Sequence, residues 1–173
     1  NFTKKHRRRN GGIRLLGLID QREVVSATYS ELDKGFTELT LDEGASLSKF
    51  EFLEDGAEYR ETIAAKDGAP TVAHELTFTL ERMDADTTAA IEAIIEASRS
   101  GLIAVVVTIN GDALLLGYSQ EFGKERPLRI ASAQATTGRL LSETTSETVT
   151  LRSEDVSKAR PLLDDLNNLF SKI

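Results

Sequence analysis

The chain contains no cysteine and no tryptophan, and only two histidines in 173 residues. Without cysteine there can be no disulfide, no thiolate nucleophile and no cysteine-ligated zinc or iron–sulfur site. With His6 and His74 as the only imidazoles, a metal site would rest mainly on carboxylates, and no ligand-spaced pair such as His-x-x-x-His occurs. Long apolar runs are also missing. The longest, Leu102 to Ile109, falls far short of the roughly 20 residues that a membrane-spanning helix needs. No apolar stretch follows the basic amino-terminal segment, so a secretory signal is not expected. No Gly-x-Ser-x-Gly turn nominates a serine, and Gly11-Gly12, Gly56 and Gly117 stand apart without phosphate-loop spacing. Seven phenylalanines and three tyrosines are a poor supply for an aromatic-lined ligand platform. The expectation is a protein without enzymatic activity, cofactor, metal or membrane partner.

What is present begins with a charge split. The net charge is −7. Lys4, Lys5, Arg7, Arg8 and Arg9 place five positive charges and no acid in the first ten residues. Taking those five from the 21 lysines and arginines leaves 16 against 28 acidic residues, a net −12 for the remainder. Such an arm can be a solvated terminus, can dock on the acidic surface of a neighbouring copy, or can meet phosphates. A body this acidic disfavours non-specific DNA binding by the whole domain.

The pattern along the chain is β-rich. The length suits one domain, organised as a basic arm at 1–10, a β-rich domain at 11–153 and a carboxyl-terminal extension at 154–173. A strand is expected over Ile13–Ile19. A polar region from Gln21 to Gly44 holds one short strand, Phe36–Leu41. From Phe50 to Glu81 the sequence reads as two long strands broken by Asp67-Gly68 and Pro70. In the second strand Leu76, Phe78 and Leu80 alternate with Glu75, Thr77, Thr79 and Glu81, which puts one set on a core and the other in water. The first carries Phe50, Phe52, Tyr59 and Ile63 among Glu51, Glu54, Asp55, Glu58 and Glu61. On this reading Glu51, Glu54, Glu58, Glu61, Glu75 and Glu81 form an acidic wet face. His74 shares parity with Leu76 and Phe78 and reads as a partly buried structural histidine.

A helix is expected after Asp84 or Asp86 and before Gly101, with Ile91, Ile94 and Ile95 on its apolar stripe. Asn110-Gly111 then joins two β-prone runs, the strongest short hairpin signal, and their near-continuous hydrophobicity predicts a hairpin covered on both faces. Strands are expected at Pro127–Ala131 and Glu147–Arg152, with a polar loop between them. From Pro161 to Ile173, Leu162, Leu163, Leu166, Leu169, Phe170 and Ile173 keep helical spacing. This short amphipathic helix either folds back on its own domain or grips a neighbouring subunit.

The order of these elements carries a resemblance. Gly11-Gly12-Ile13, Lys49-Phe-Glu-Phe52 and His74-Glu-Leu-Thr-Phe-Thr-Leu80 precede the Met83-Asp-Ala helix. Gly101-Leu-Ile-Ala-Val-Val, Asn110-Gly111 and Leu116-Gly-Tyr-Ser119 follow it, then Arg126-Pro-Leu-Arg129, Thr137-Gly138 and Val149-Thr-Leu151. From about Gly11 to about Leu163 the chain resembles small structural proteins of tailed bacteriophages, in particular tail-tube-like proteins of phages and prophages of Bacteroidetes-type hosts. The resemblance implies a mainly β fold with one flanking α-helix (α+β): a β-sandwich or partial barrel of tail-tube type, plus the short terminal helix. It implies that the chain partners itself, in six-membered rings stacked into a tube through which DNA passes without specific binding, and other tail or neck proteins of the virion. The acidic face would line the channel. Lys4, Lys5, Arg7, Arg8, Arg9, Leu162, Leu166, Leu169 and Phe170 would make contacts between subunits. A neck or tail-terminator ring is the alternative within this style of sequence. A monomeric ligand-binding β-domain and a hydrolase using His74 are the readings from other classes.

Overall fold

Every residue from Leu102 to Val107 is buried, and this run forms the centre of the molecule. The structure, a computed structural model, describes residues 11–52 and 56–170. Eleven strands and two helices are assigned among the described residues. In chain order they are β1 (Ile13–Asp20), β2 (Val24–Ser30), β3 (Gly35–Leu41), β4 (Ser48–Glu51), β5 (Ala57–Lys66) and β6 (Ala69–Leu80). They continue as α1 (Ala85–Ser98), β7 (Leu102–Thr108), β8 (Ala113–Leu116), β9 (Arg129–Thr136), β10 (Ser146–Asp155), β11 (Arg160–Pro161) and α2 (Leu166–Leu169).

Three sheets result. A five-stranded sheet has the order β11-β8-β7-β1-β4, a four-stranded sheet the order β5-β6-β10-β9, and β2 with β3 forms a two-stranded ribbon. The strand β7 explains the layering. Its alternate residues Leu102, Ala104 and Val106 join Leu16 and Leu18 of β1 in a core shared with Leu76, Phe78, Val149 and Leu151 of the four-stranded sheet. Ile103 and Val105 point the other way, into a second core with Val24, Phe36 and Leu39 of the ribbon. Because successive strand residues face opposite sides, a strand apolar at every position must be covered on both. The hairpin at Asn110-Gly111 is therefore central, as its composition predicts. Its apex is closed by the Gly111 amide donating to Thr108 O at 3.0 Å.

The fold is thus mainly β with two helices, one of them flanking, and its sheets are open. α1 begins at Asp84, whose side chain accepts the Thr87 amide at 2.8 Å, and buries Ile91, Ile94 and Ser98. Ile95, expected on the same stripe, is 42 % exposed.

Several sequence expectations are corrected. The stretch from Phe50 to Glu81 is not one two-stranded element. Phe50 and Glu51 belong to β4, paired with β1 in the five-stranded sheet, and only β5 with β6 make the long hairpin. Phe50 and Phe52 cross to the shared core, where their rings lie 5.8 and 6.3 Å from that of Phe78. The β5–β6 turn is at Asp67-Gly68, both at positive φ (55° and 77°), the two-residue geometry whose twist suits a hairpin. The polar region also holds a second strand, β2. β9 runs to Thr136 instead of stopping near Ala131.

The expected carboxyl-terminal helix is not formed over residues 161–170, and Ile173 lies outside the described residues. Arg160–Pro161 adds to β8 as an edge strand, and α2 is a single turn. The segment is threaded through the second core. The Leu162 amide donates to Ala113 O, the Leu163 amide to Phe36 O and the Leu47 amide to Leu169 O, all within 3.0 Å. The Leu39 amide donates to Asp164 Oδ2 at 2.9 Å. Gly17 of β1 leaves room for the Phe170 ring, since a Cβ there would lie 2.5 Å from it. A boundary at 153/154 would fall inside β10, so residues 154–170 are part of the domain.

Candidate functional site

The four-stranded sheet has one dry face and one wet face, and the wet face is where sequence reasoning placed function. Pairing fixes its composition. Arg60 lies opposite Glu75, Glu75 opposite Arg152, and Arg152 opposite Arg129, a row of charges crossing all four strands. The neighbouring row is Glu58, Thr77, Thr150 and Ser132, and the next joins Thr79, Thr148 and Gln134. Glu154, opposite Ala73, completes the charged set. Thr77 and Thr150 hydroxyls meet at 3.2 Å and those of Thr79 and Thr148 at 3.0 Å, so these pairs satisfy one another. Glu58 pairs with Arg60 at 3.1 Å and Glu154 with Arg152 at 3.4 Å, both well exposed.

The face is therefore charge-balanced: Glu58, Glu75 and Glu154 stand against Arg60, Arg129 and Arg152. The expected acidic face is not one surface. Glu58 and Glu75 are on it. Glu51 lies on β4 of the other sheet, beside Lys49 at 2.6 Å, and Glu81 lies past the end of β6. Glu54 falls outside the described residues, as do Lys4, Lys5, Arg7, Arg8 and Arg9. Glu61 faces the dry side, opposite His74. Glu58 and Glu154 pair with arginines two residues away on their own strands, but sequence could not show that register sets Glu75 between Arg60 and the distant Arg152.

Glu61 belongs to a hydrogen-bonded cluster. Tyr59 Oη donates to Glu61 Oε1 at 2.8 Å and lies 2.8 Å from His74 Nδ1. His74 Nε2 is 2.9 Å from Ser157 O, and a carbonyl only accepts, so Nε2 carries hydrogen. Glu61 Oε1 also accepts the Ala159 amide at 2.8 Å, with Lys158 Nζ 3.6 Å from Oε2. Burial, then the Glu61 carboxylate, push the Tyr59 hydroxyl well above its ordinary range. His74 is buried, as its parity predicts, and both ring nitrogens are engaged. As placed, the imidazole pins Ser157 and the Glu61 carboxylate pins Lys158 and Ala159 to the sheet, and the imidazole offers no free nitrogen to a substrate. Next to it, the Ser119 hydroxyl donates to the buried Asp155 Oδ1 at 2.9 Å.

The sheet ends in two edges. β5 and β9 each pair on one side only. In β9 every residue except Ile130 is exposed. Beyond Val72, the β5–β6 hairpin carries Ile63 at 62 % exposure together with exposed Ala64, Ala65, Ala69 and Pro70. Beside β9 a shallow groove of about 380 Å³ is walled by Glu125, Arg126, Arg129, Arg152 and Glu154, with no aromatic ring among the described residues that line it. Among the described residues no group of three or more His, Asp or Glu is placed to hold a metal ion, and no helix is long and apolar enough to cross a membrane.

The expected subunit contacts at the carboxyl terminus are relocated. Leu162, Leu169 and Phe170 are buried in the second core, and Leu166 packs against it. They fold back on their own domain, the other of the two arrangements their spacing allows. Compared with protein-family models, with curated proteins and with solved structures, the chain gives no match.

Proposed function

We propose that the chain is a structural subunit that assembles with copies of itself into rings, and that the rings stack into the tail tube of a bacteriophage. The observation that carries this reading is the pair of open edges on one sheet. A free edge strand presents unpaired amides and carbonyls, and monomeric proteins blunt such edges with bulges, prolines or covering elements. β5 and β9 are ten and eight residues long and lie on opposite sides of the same sheet, and most of their residues are exposed; β9 is bulged at Ala131, and Ser98 Oγ accepts its Ile130 amide. Joining β5 of one copy to β9 of the next is a head-to-tail contact, which closes into a ring when the rotation closes and otherwise runs on as a filament. The wet face would then form one continuous wall. Its threonines and balanced charges suit a channel past which a polyanion slides, replacing the acidic lining that the sequence suggests.

Electron microscopy of the purified protein over a concentration series, with light scattering on the same samples, tests the proposal. Rings stacked into open tubes support it. Single closed rings that never stack point to a neck or terminator protein, and a monomer at the highest attainable concentration overturns the assembly reading. Hydrogen exchange locates the contact: the β9 amides that point away from β10 should exchange freely in dilute monomer and become protected on assembly, while those bonded to β10 are protected in both.

A further inference from the structure

Between β9 and β10 the chain displays two adjacent exposed leucines. Leu140 is 64 % exposed and Leu141 108 %. The loop that carries them is held in shape. Glu143 Oε2 accepts the amides of Arg139 and Leu140, the Glu143 amide donates to Leu140 O at 3.0 Å, and Gly138 supplies a positive φ. Those amides hold the Glu143 carboxyl below its ordinary range. With that carboxylate engaged, the tip presents two apolar side chains and the Arg139 guanidinium, which has no ion-pair partner among the described residues. Apolar anchors on a preorganised loop are the pattern of a docking knob, because little ordering entropy remains to be lost on contact.

A matching recess lies elsewhere on the same chain. Between α1 and the β1–β4 edge is a groove of about 210 Å³. Ala90, Ala93 and Ala97 form its helix wall and Phe50 part of its floor, while Asp20 and Glu23 stand at its rim. Asp20 is already paired with Arg22 at 2.7 Å; Glu23 has no ion-pair partner among the described residues. Three alanines on one helix wall leave space that larger side chains would fill.

We propose that the Arg139–Leu141 tip of one copy docks into the α1 groove of another, with Leu141 against Ala93 and Arg139 facing Glu23. The partner is a second copy of this chain because knob and recess match in both polarity and charge: apolar tip to apolar floor, lone cation to acidic rim. The contact is head-to-tail, so each copy offers a knob to one neighbour and a groove to another, the arrangement that extends into rings or filaments. This inference rests on the self-assembly reading and adds a second contact to it, distinct from the paired edges.

The absence of native cysteine makes the test direct. Leu141→Cys and Ala93→Cys proteins are prepared separately, mixed under assembly conditions and oxidised with copper phenanthroline. Both positions are exposed, so each variant should keep the wild-type circular dichroism spectrum. The expected result is a covalent dimer in the mixture, at least tenfold more abundant than in either protein alone. Leu141→Asp should raise the concentration needed for assembly at least tenfold. Wild-type assembly without the mixed cross-link, or with Leu141→Asp assembling normally, overturns the knob and leaves the self-assembly reading intact. Cross-linking of Leu141→Cys alone as strong as in the mixture means that tip meets tip, which also overturns it. A wild-type protein that never assembles overturns both.

Discussion

The Tyr59 hydroxyl sits between a carboxylate and an imidazole, and its one hydrogen goes to Glu61. Through this cluster β5, β6 and the segment after β10 are tied together at a point where Tyr59 and His74 rings also touch, 6.1 Å between centroids. Removing the hydroxyl keeps the ring but strips a donor from the Glu61 carboxylate and a partner from buried His74. Tyr59→Phe should therefore lower stability by about 1–3 kcal/mol, the cost of an unsatisfied buried polar group, read as a fall in the urea midpoint. An unchanged midpoint would mean that the cluster is not formed in solution. Glu143 gives a residue-scale prediction in pH. Its carboxyl is held below the ordinary glutamate range by the Arg139 and Leu140 amides. A depressed carboxylate contributes its stabilisation above its unfolded value and loses it as pH falls through the lower folded one. The Arg139 and Leu140 amide resonances should shift at lower pH than an ordinary glutamate titrates, as the carboxylate that holds them is protonated. In Glu143→Gln that acid-limb shift should vanish.

At the scale of elements, what could be read from sequence was whatever depends on one strand and its own periodicity. The alternation in β6, the all-apolar run of β7, the Asp67-Gly68 turn and the Asp84 cap each rest on neighbours in the chain. What could not be read depends on distant partners. β2 is written as mixed polar residues because only its contact with the second core needs to be dry, and β9 is polar because it is exposed nearly throughout. Leu162, Leu169 and Phe170 have the spacing of a helix, yet β-bridges to Phe36 and Leu47 and hydrogen bonds to β3 and β8 hold most of this segment extended. Spacing cannot say that Gly17 leaves a seat for the Phe170 ring. Phe170→Ala should accordingly cost the monomer about 3–5 kcal/mol, the range for emptying a buried aromatic site. Urea unfolding measured below the assembly concentration checks this. A loss seen only in the assembled protein would return the terminus to the subunit contact.

For the whole molecule, the assembly proposed above raises an electrostatic question: how a polyanion would pass such a wall without sticking. Overall negative charge is one means; on the wet face Glu58, Glu75 and Glu154 offset Arg60, Arg129 and Arg152, although the row Arg60, Glu75, Arg152 and Arg129 taken alone holds three cations to one acid. Glu75 is the hinge of that balance, the acid standing between two arginines. Glu75→Lys would turn the row into four cations spanning four strands, changing the face by two charges per copy and many per ring. Phosphate binding gains from each neutralised contact by releasing counterions, with a salt slope of about −0.9 per phosphate on duplex DNA. Assembled Glu75→Lys protein should bind labelled duplex at least about tenfold more tightly than wild type at low salt, with the excess disappearing as salt rises. Fluorescence anisotropy across a salt series measures it. The basic arm is common to both proteins, so the difference reports the face alone. Equal binding by the two would mean that DNA does not meet this wall, and the channel would have to be lined by another surface of the ring.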